Sequence, residues 1–183
     1  MKIVVDGFGG DYAPKEILFG CIEALNTRED LEIIITGNEE TFVQLLTDAG
    51  QAAPSRLEIV NTTEVVENED EPIAAIRQKK DSSLVVGLKL VSEGKGDGFV
   101  SAGNTGAVLT GATLIIKRIS GIKRAALCPT LPTKKGKAVI IDVGANAECK
   151  PEFYPQFIKC IGIGQTNLLS PVFKRCHFTA FLD

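Results

Sequence analysis

Apolar positions along this chain come in blocks that alternate between two periods. Runs of adjacent aliphatic residues, "KIVVD" (2–6), "LEIIITG" (31–37) and "RLEIVNTT" (56–63), read as buried strands. Between them, "PKEILFGCIEALN" (14–26) and "NEETFVQLLTDAG" (38–50) place apolar residues at helical spacing. Pro14 suits a first helical turn and Gly50 a helix end. The segment 64–82 is charged and carries Pro72. "SSLVVGLKLVSEG" (82–94) and "TGAVLTGATLIIKRI" (105–119) read as helices, with "GDGFVSAG" (96–103) between them as a strand running into a glycine turn. "AALCPTLPT" (125–133) and "KAVIIDVGAN" (137–146) supply two more strands. The order predicts an α/β domain with a largely parallel sheet and helices on both faces.

Bulk properties narrow the function classes. With 183 residues, 44% of them hydrophobic and 23% charged, the chain suffices for one generous domain or two small ones with a real core. A net charge of −3 argues against broad electrostatic binding to nucleic acid. No apolar stretch approaches the ~20 residues of a membrane span, and the N-terminal run is too short for a signal-peptide core. The five cysteines, Cys21, Cys128, Cys149, Cys160 and Cys176, show no C-x-x-C pair. They predict neither a disulfide framework nor a metal site, and a reducing cytoplasm fits them. The single histidine, His177, sits near the end of the chain, so chemistry built on histidine is not expected.

In open α/β sheets ligands gather beyond the carboxyl ends of the strands. Three glycine-rich stretches fall there. In "VVDGFGGDYAPKE" (4–16), Asp6 and Asp11 flank Gly7, Gly9 and Gly10. A dinucleotide fingerprint would need glycine where Tyr12 stands, which disfavours a nicotinamide or flavin cofactor. The plainer alternative is a glycine turn with Asp11 capping a helix. In "VSAGNTGAV" (100–108), Gly103 and Gly106 let an anion approach the backbone, while Ser101, Asn104 and Thr105 add side-chain donors. No G-K-[ST] follows, so this is not a nucleotide P-loop. A turn-and-cap reading also explains the glycines and Thr105, but less readily Asn104. In "IIDVGANAECKPE" (140–152), Asp142, Gly144, Asn146 and Lys150 repeat the pattern. Together the three suggest one shared polar site.

"AIRQKKDSS" (75–83) is the strong basic cluster, with Arg77, Lys79 and Lys80 before Asp81 and Ser82. It reads equally as a solvated loop with Asp81 or Ser82 as helix cap, or as an anion-facing patch.

"VDGFGGDYAP", "RQKKDSS", "VSAGNTGA" and "DVGANAECKPE" resemble, in order and spacing, the bacterial phosphate:acyl-carrier-protein acyltransferases of phospholipid synthesis. The resemblance covers about residues 1–157. It implies transfer of a fatty acyl group from acyl carrier protein to inorganic phosphate, giving an acyl phosphate. It also implies an α/β fold like that of phosphotransacetylases and isocitrate-dehydrogenase-like enzymes, a cytoplasmic homodimer, peripheral membrane association, and no metal or cofactor. Phosphate is already an ionised nucleophile, so the site must position it and stabilise an oxyanion. The implied catalytic residues are Asn104, Lys80, Asp142 and Lys150. The implied substrate-binding set is Asp6, Gly9, Gly10, Asp11, Arg77, Lys79, Asp81, Ser82, Ser101, Gly103, Thr105, Gly106, Gly144 and Asn146.

The chain departs from the family pattern at three places. Tyr12 replaces a usual histidine and Phe8 a common methionine. Family members are roughly twice as long. From residue 158 to 183 the sequence does not follow the family's helix. The expectation is therefore an α/β domain over 1–157, incomplete at its C-terminal side, and a divergent tail over 158–183. The alternative function is a non-catalytic, truncated remnant that binds phosphate or acyl carrier protein.

Overall fold

The computed structural model describes residues 1–159 apart from Ile119, Ala145 and Ala147. Cys160, Cys176, His177 and most of the 158–183 tail lie outside the described residues. The chain forms two compact units, the first Met1–Ile116 and the second beginning at Lys117.

In the first unit, β1 (Lys2–Asp6), β2 (Glu32–Gly37), β3 (Leu57–Asn61) and β4 (Gly98–Val100) form one sheet in the order β3-β2-β1-β4. All neighbours are parallel: Val5 lies opposite Ile35 and Val100, and Ile33 opposite Leu57. Helices α1 (Lys15–Thr27) and α2 (Glu39–Asp48) cover one face. There Val5, Ile33, Ile35 and Leu57 meet Leu18, Ile22, Leu25, Phe42 and Leu46 in one buried cluster. Helix α4 (Ser83–Ser92) covers the other face, where Val4 and Phe99 are buried. Each such apolar side chain contributes roughly 1.5–3 kcal/mol through burial. The strands are β-branched on both sides because both sides are dry.

Helix starts follow side-chain caps. Asn38 accepts from the Thr41 N–H at 2.9 Å to start α2, and Ser82 from the Val85 N–H at 3.3 Å to start α4. Helix α1 has no side-chain cap. Asp11 does not cap it; its carboxylate instead accepts from the Asn68 amide at 3.0 Å.

Three elements differ from the sequence reading. The charged segment contains a helix, α3 (Pro72–Gln78), capped by the Glu71 carboxylate on the Ile73 and Ala74 N–H groups at 3.1 and 2.6 Å. Pro72 opens this helix rather than breaking the chain, and seven residues are too few to display a period. The helix predicted over 105–119 is α-helical as α5 over Thr105–Gly111 and widens to a π-helical turn over Ala112–Ile116. Within that turn the Thr113 hydroxyl bonds back to the Leu109 carbonyl at 2.8 Å.

The third difference lies in the second unit. β5 (Thr130–Thr133) and β6 (Gly136–Val139) pair antiparallel with each other as a hairpin. They were expected as strands of the parallel sheet. Lys134 and Lys135 alone join them, and so short a link reaches only an antiparallel neighbour.

Candidate functional site

Between β1 and β4 the strand order reverses: the chain steps outward from β1 to β2 and β3, then returns to place β4 on the other side of β1. The crevice beyond the carboxyl ends of β1 and β4 is therefore the switch point where such sheets hold ligands. Both glycine turns of the first unit emerge there, Gly7–Asp11 after β1 and Ser101–Asn104 after β4.

Asp6, the last residue of β1, ties these turns together. It is 2% exposed, and its Oδ1 accepts from the Ser83 hydroxyl at 2.5 Å while its Oδ2 accepts from the Ser101 hydroxyl at 2.7 Å. The Phe8 N–H approaches Oδ1 at 3.4 Å, and Ser101 Oγ in turn accepts the Gly103 N–H at 3.1 Å. Burial pushes the Asp6 carboxyl above the ordinary carboxylate range, against the pull of Ser83, Ser101 and the N–H groups of Phe8 and Gly9. One carboxylate thus joins the ends of two strands to the start of α4.

The turns touch through glycine. A Cβ on Gly9 would stand 2.5 Å from Asp6 Oδ2 and 2.7 Å from Ser101 Oγ; one on Gly103 would stand 3.0 Å from the Gly9 Cα. Gly10 has φ +115°, beside Ala102. These glycines serve the contact of one turn with the other.

Asn104 is the cap of α5, which accounts for its place between two glycines. Its Oδ1 accepts from the Ala107 N–H at 2.9 Å. Its amide nitrogen faces the carbonyls of Glu67, Asn68 and Asp70 at 3.2, 3.1 and 3.1 Å. The cap residue is Asn104 rather than Thr105, which falls inside the first turn with Gly106. Asn104 and the Asn68–Asp11 bond hold the acidic 64–71 loop against both glycine turns.

The basic cluster divides. Lys79 pairs with the Asp70 carboxylate and donates to the Val65 carbonyl at 2.8 Å, which holds Asp70 below the usual carboxylate range. Asp81 accepts from the Thr63 N–H and hydroxyl at 3.0 and 2.6 Å. Ser82, fully buried, is the α4 cap. Arg77 and Lys80 are exposed.

In the second unit Asp142 adopts φ +62° and gathers its own partners. Its carboxylate accepts from the Asn146 amide at 3.0 Å and from the Cys149 thiol at 2.9 Å. That contact raises the Cys149 thiol above its ordinary range, with desolvation adding to it. Gly144 has φ +81°. Lys150 is exposed and precedes a 3₁₀ turn over Pro151–Phe153.

Sequence reading missed Ser83, the buried donor to Asp6, and Asn68, the donor to Asp11. The signal for Ser83 was its place directly after the Ser82 cap: only one of two adjacent serines caps, and the other points elsewhere. Among the described residues no group of three or more His, Cys, Asp and Glu is placed to hold a metal ion. No helix there is long and apolar enough to cross a membrane. A groove of about 300 Å³ lined by Lys2, Glu32, Ile33, Ser55, Arg56 and Glu58 lies at the amino ends of the strands, away from the switch point. Lys2 pairs there with Glu32 and Glu58 at 3.4 and 3.5 Å, and Arg56 donates to the Leu31 and Leu25 carbonyls at 2.7 and 2.6 Å.

Known proteins resemble this chain in sequence and in fold. The family described as "Fatty acid synthesis protein" matches residues 1–163. The phosphate acyltransferase of Clostridium tetani (strain Massachusetts / E88) is 51% identical over 157 residues, 86% of this chain and 47% of that protein. That of Clostridioides difficile (strain 630) is 48% identical over 170 residues, 92% of this chain and 49% of that protein. The chain spans about half the length of the curated relatives it matches. Among solved structures, EutD phosphotransacetylase from Staphylococcus aureus aligns with a TM-score of 0.55 at 21% identity, over 83% of this chain and 48% of that one. At that identity the likeness is one of fold. A parallel sheet ordered β3-β2-β1-β4, with glycine turns joined at its switch point and half-identical relatives along it, places this chain in the fatty acid synthesis protein family, beside the bacterial phosphate acyltransferases.

Proposed function

We propose that the chain transfers a fatty acyl group from the thioester of acyl carrier protein to inorganic phosphate, giving an acyl phosphate for phospholipid synthesis. One observation carries the reading: three of the four motif stretches shared with phosphate acyltransferases meet at a single carboxylate. Asp6 belongs to the first, Ser83 to the second and Ser101 to the third. Motifs far apart in sequence that join at a switch point are what a ligand site requires.

Phosphate needs no activating base, so positioning and charge do the work. Gly9, Gly10, Gly103, Thr105 and Gly106 border the phosphate, with Ser101 and Asp11 orienting donors around it. Asn104 sets the turn through its cap. Lys80 balances the developing oxyanion. Arg77 and Lys80 also offer positive charge to an acidic carrier protein, whereas Lys79 is engaged by Asp70. The acting form is a cytoplasmic homodimer that associates peripherally with the membrane.

The test is direct. Purified chain is mixed with acyl-carrier-protein thioester and phosphate, and acyl phosphate is followed as hydroxamate. Product formation is expected. Carrier or phosphate binding without product would favour the non-catalytic reading, and binding of neither would end both.

A further inference from the structure

A serine hydroxyl has one hydrogen and two lone pairs to place. While Asp6 is ionised, its carboxylate can only accept, so Ser83 and Ser101 both donate inward, at 2.5 and 2.7 Å. The Ser101 oxygen is then left to receive the Gly103 N–H at 3.1 Å. In that state Ser101 offers no hydrogen to the crevice, although it is only partly buried and sits at the crevice wall.

A proton on Asp6 changes this. Oδ1 is the poorer seat for it, because Oδ1 already accepts from both Ser83 and the Phe8 N–H. A proton on Oδ2 is donated to Ser101, which then accepts from both Asp6 and Gly103. Its own hydrogen must turn outward. The same proton removes a negative charge from beneath the place an anion would occupy.

Resting on the phosphate-handling reading above, we infer that Asp6 is a positioning residue whose proton decides whether the Ser101 hydroxyl donates into the fold or toward an anion in the crevice. Solvent supplies the proton to Asp6 Oδ2 as the anion binds and takes it back as the anion leaves; no other bond is made or broken. The groups facing the carboxylate are Ser83 from the start of α4, Ser101 from the turn after β4, and the Phe8 and Gly9 N–H groups, with no charged side chain among them. Burial raises the carboxyl and so moves its titration toward neutral pH.

Sulfate is the probe, since its charge is constant between pH 5 and 8. Calorimetry on the full chain should show sulfate binding tightening as pH falls, by up to about tenfold per pH unit for one proton taken up. Asp6→Asn, whose amide nitrogen donates permanently to Ser101, should bind at the strength of the acid form and without pH dependence. Ser101→Ala should bind weakly at every pH. In nuclear magnetic resonance spectra the Gly103 amide should titrate in step with the Asp6 carboxyl carbon, and should not titrate in Asp6→Asn. Wild-type binding that ignores pH, or a slope that survives in Asp6→Asn, overturns the inference. Acyl-phosphate synthesis combined with pH-independent sulfate binding overturns it alone; no sulfate binding at any pH overturns it together with the anion site.

Discussion

Gly103 rests directly on Gly9: a methyl group built on Gly103 would stand 3.0 Å from the Gly9 Cα, so the two strand-end turns meet backbone to backbone. Gly9→Ala should be the more damaging of the two substitutions. Its Cβ would meet the Asp6 carboxylate and the Ser101 hydroxyl at 2.5 and 2.7 Å, both of which are hydrogen-bonded in place. Overpacking of this kind costs about 1–3 kcal/mol. Urea midpoints should fall in the order wild type, Gly103→Ala, Gly9→Ala; equal midpoints for all three would refute the close packing.

Asn104 serves two structural ends at once, and substitutions can separate them. Asn104→Asp keeps an acceptor for the Ala107 N–H but turns a carboxylate oxygen toward the carbonyls of Glu67, Asn68 and Asp70. Asn104→Ala loses the cap as well, worth about 0.5–2 kcal/mol. Both variants should expose the 64–71 loop to limited proteolysis. Asn104→Asp should do so despite an intact cap, and a loop as resistant as that of wild type would show that the amide does not hold it.

The Lys79–Asp70 pair predicts a specific acid limb. Lys79 lowers the Asp70 carboxyl, so the folded state binds its proton less readily than the unfolded chain does. The resulting stabilisation is full above the unfolded value of about 4 and is lost as pH falls through the lower folded value. Stability measured in urea from pH 6 down to pH 3 should drop less in Lys79→Met than in wild type. A parallel decline would remove the pair from the account.

Cys149 should be a poor nucleophile. Its thiol donates to Asp142 at 2.9 Å, and the neighbouring carboxylate raises it above the ordinary range. Iodoacetamide labelling at pH 8.5, read at the Cys149 peptide by mass spectrometry, should be slow and should speed up in Asp142→Asn. Cys21, buried and pushed up to about 12, should stay unlabelled in the folded chain. Rapid labelling of Cys149 in wild type would contradict the hydrogen bond.

The local pattern of this chain determined its elements wherever one residue's neighbours suffice. Aliphatic runs such as "EIIITG" became two-faced strands, and Asn38 and Ser82 became caps, because burial period and capping act within a few residues. The likeness of its glycine motifs to phosphate acyltransferases was equally legible, since motif order is a property of sequence. Tertiary structure decided what those motifs touch. Asn104 stood out as a candidate anion ligand, yet its partners are carbonyls 34 to 37 residues away, and no local rule could find them. Ser83 had no assigned role beside the Ser82 cap, and only the crossover that brings the start of α4 under β1 sets it against Asp6, 77 residues distant. Helix or strand is chosen by short-range sterics and burial. Which polar groups share one buried carboxylate is chosen by how the sheet closes, and that is where the candidate site is made.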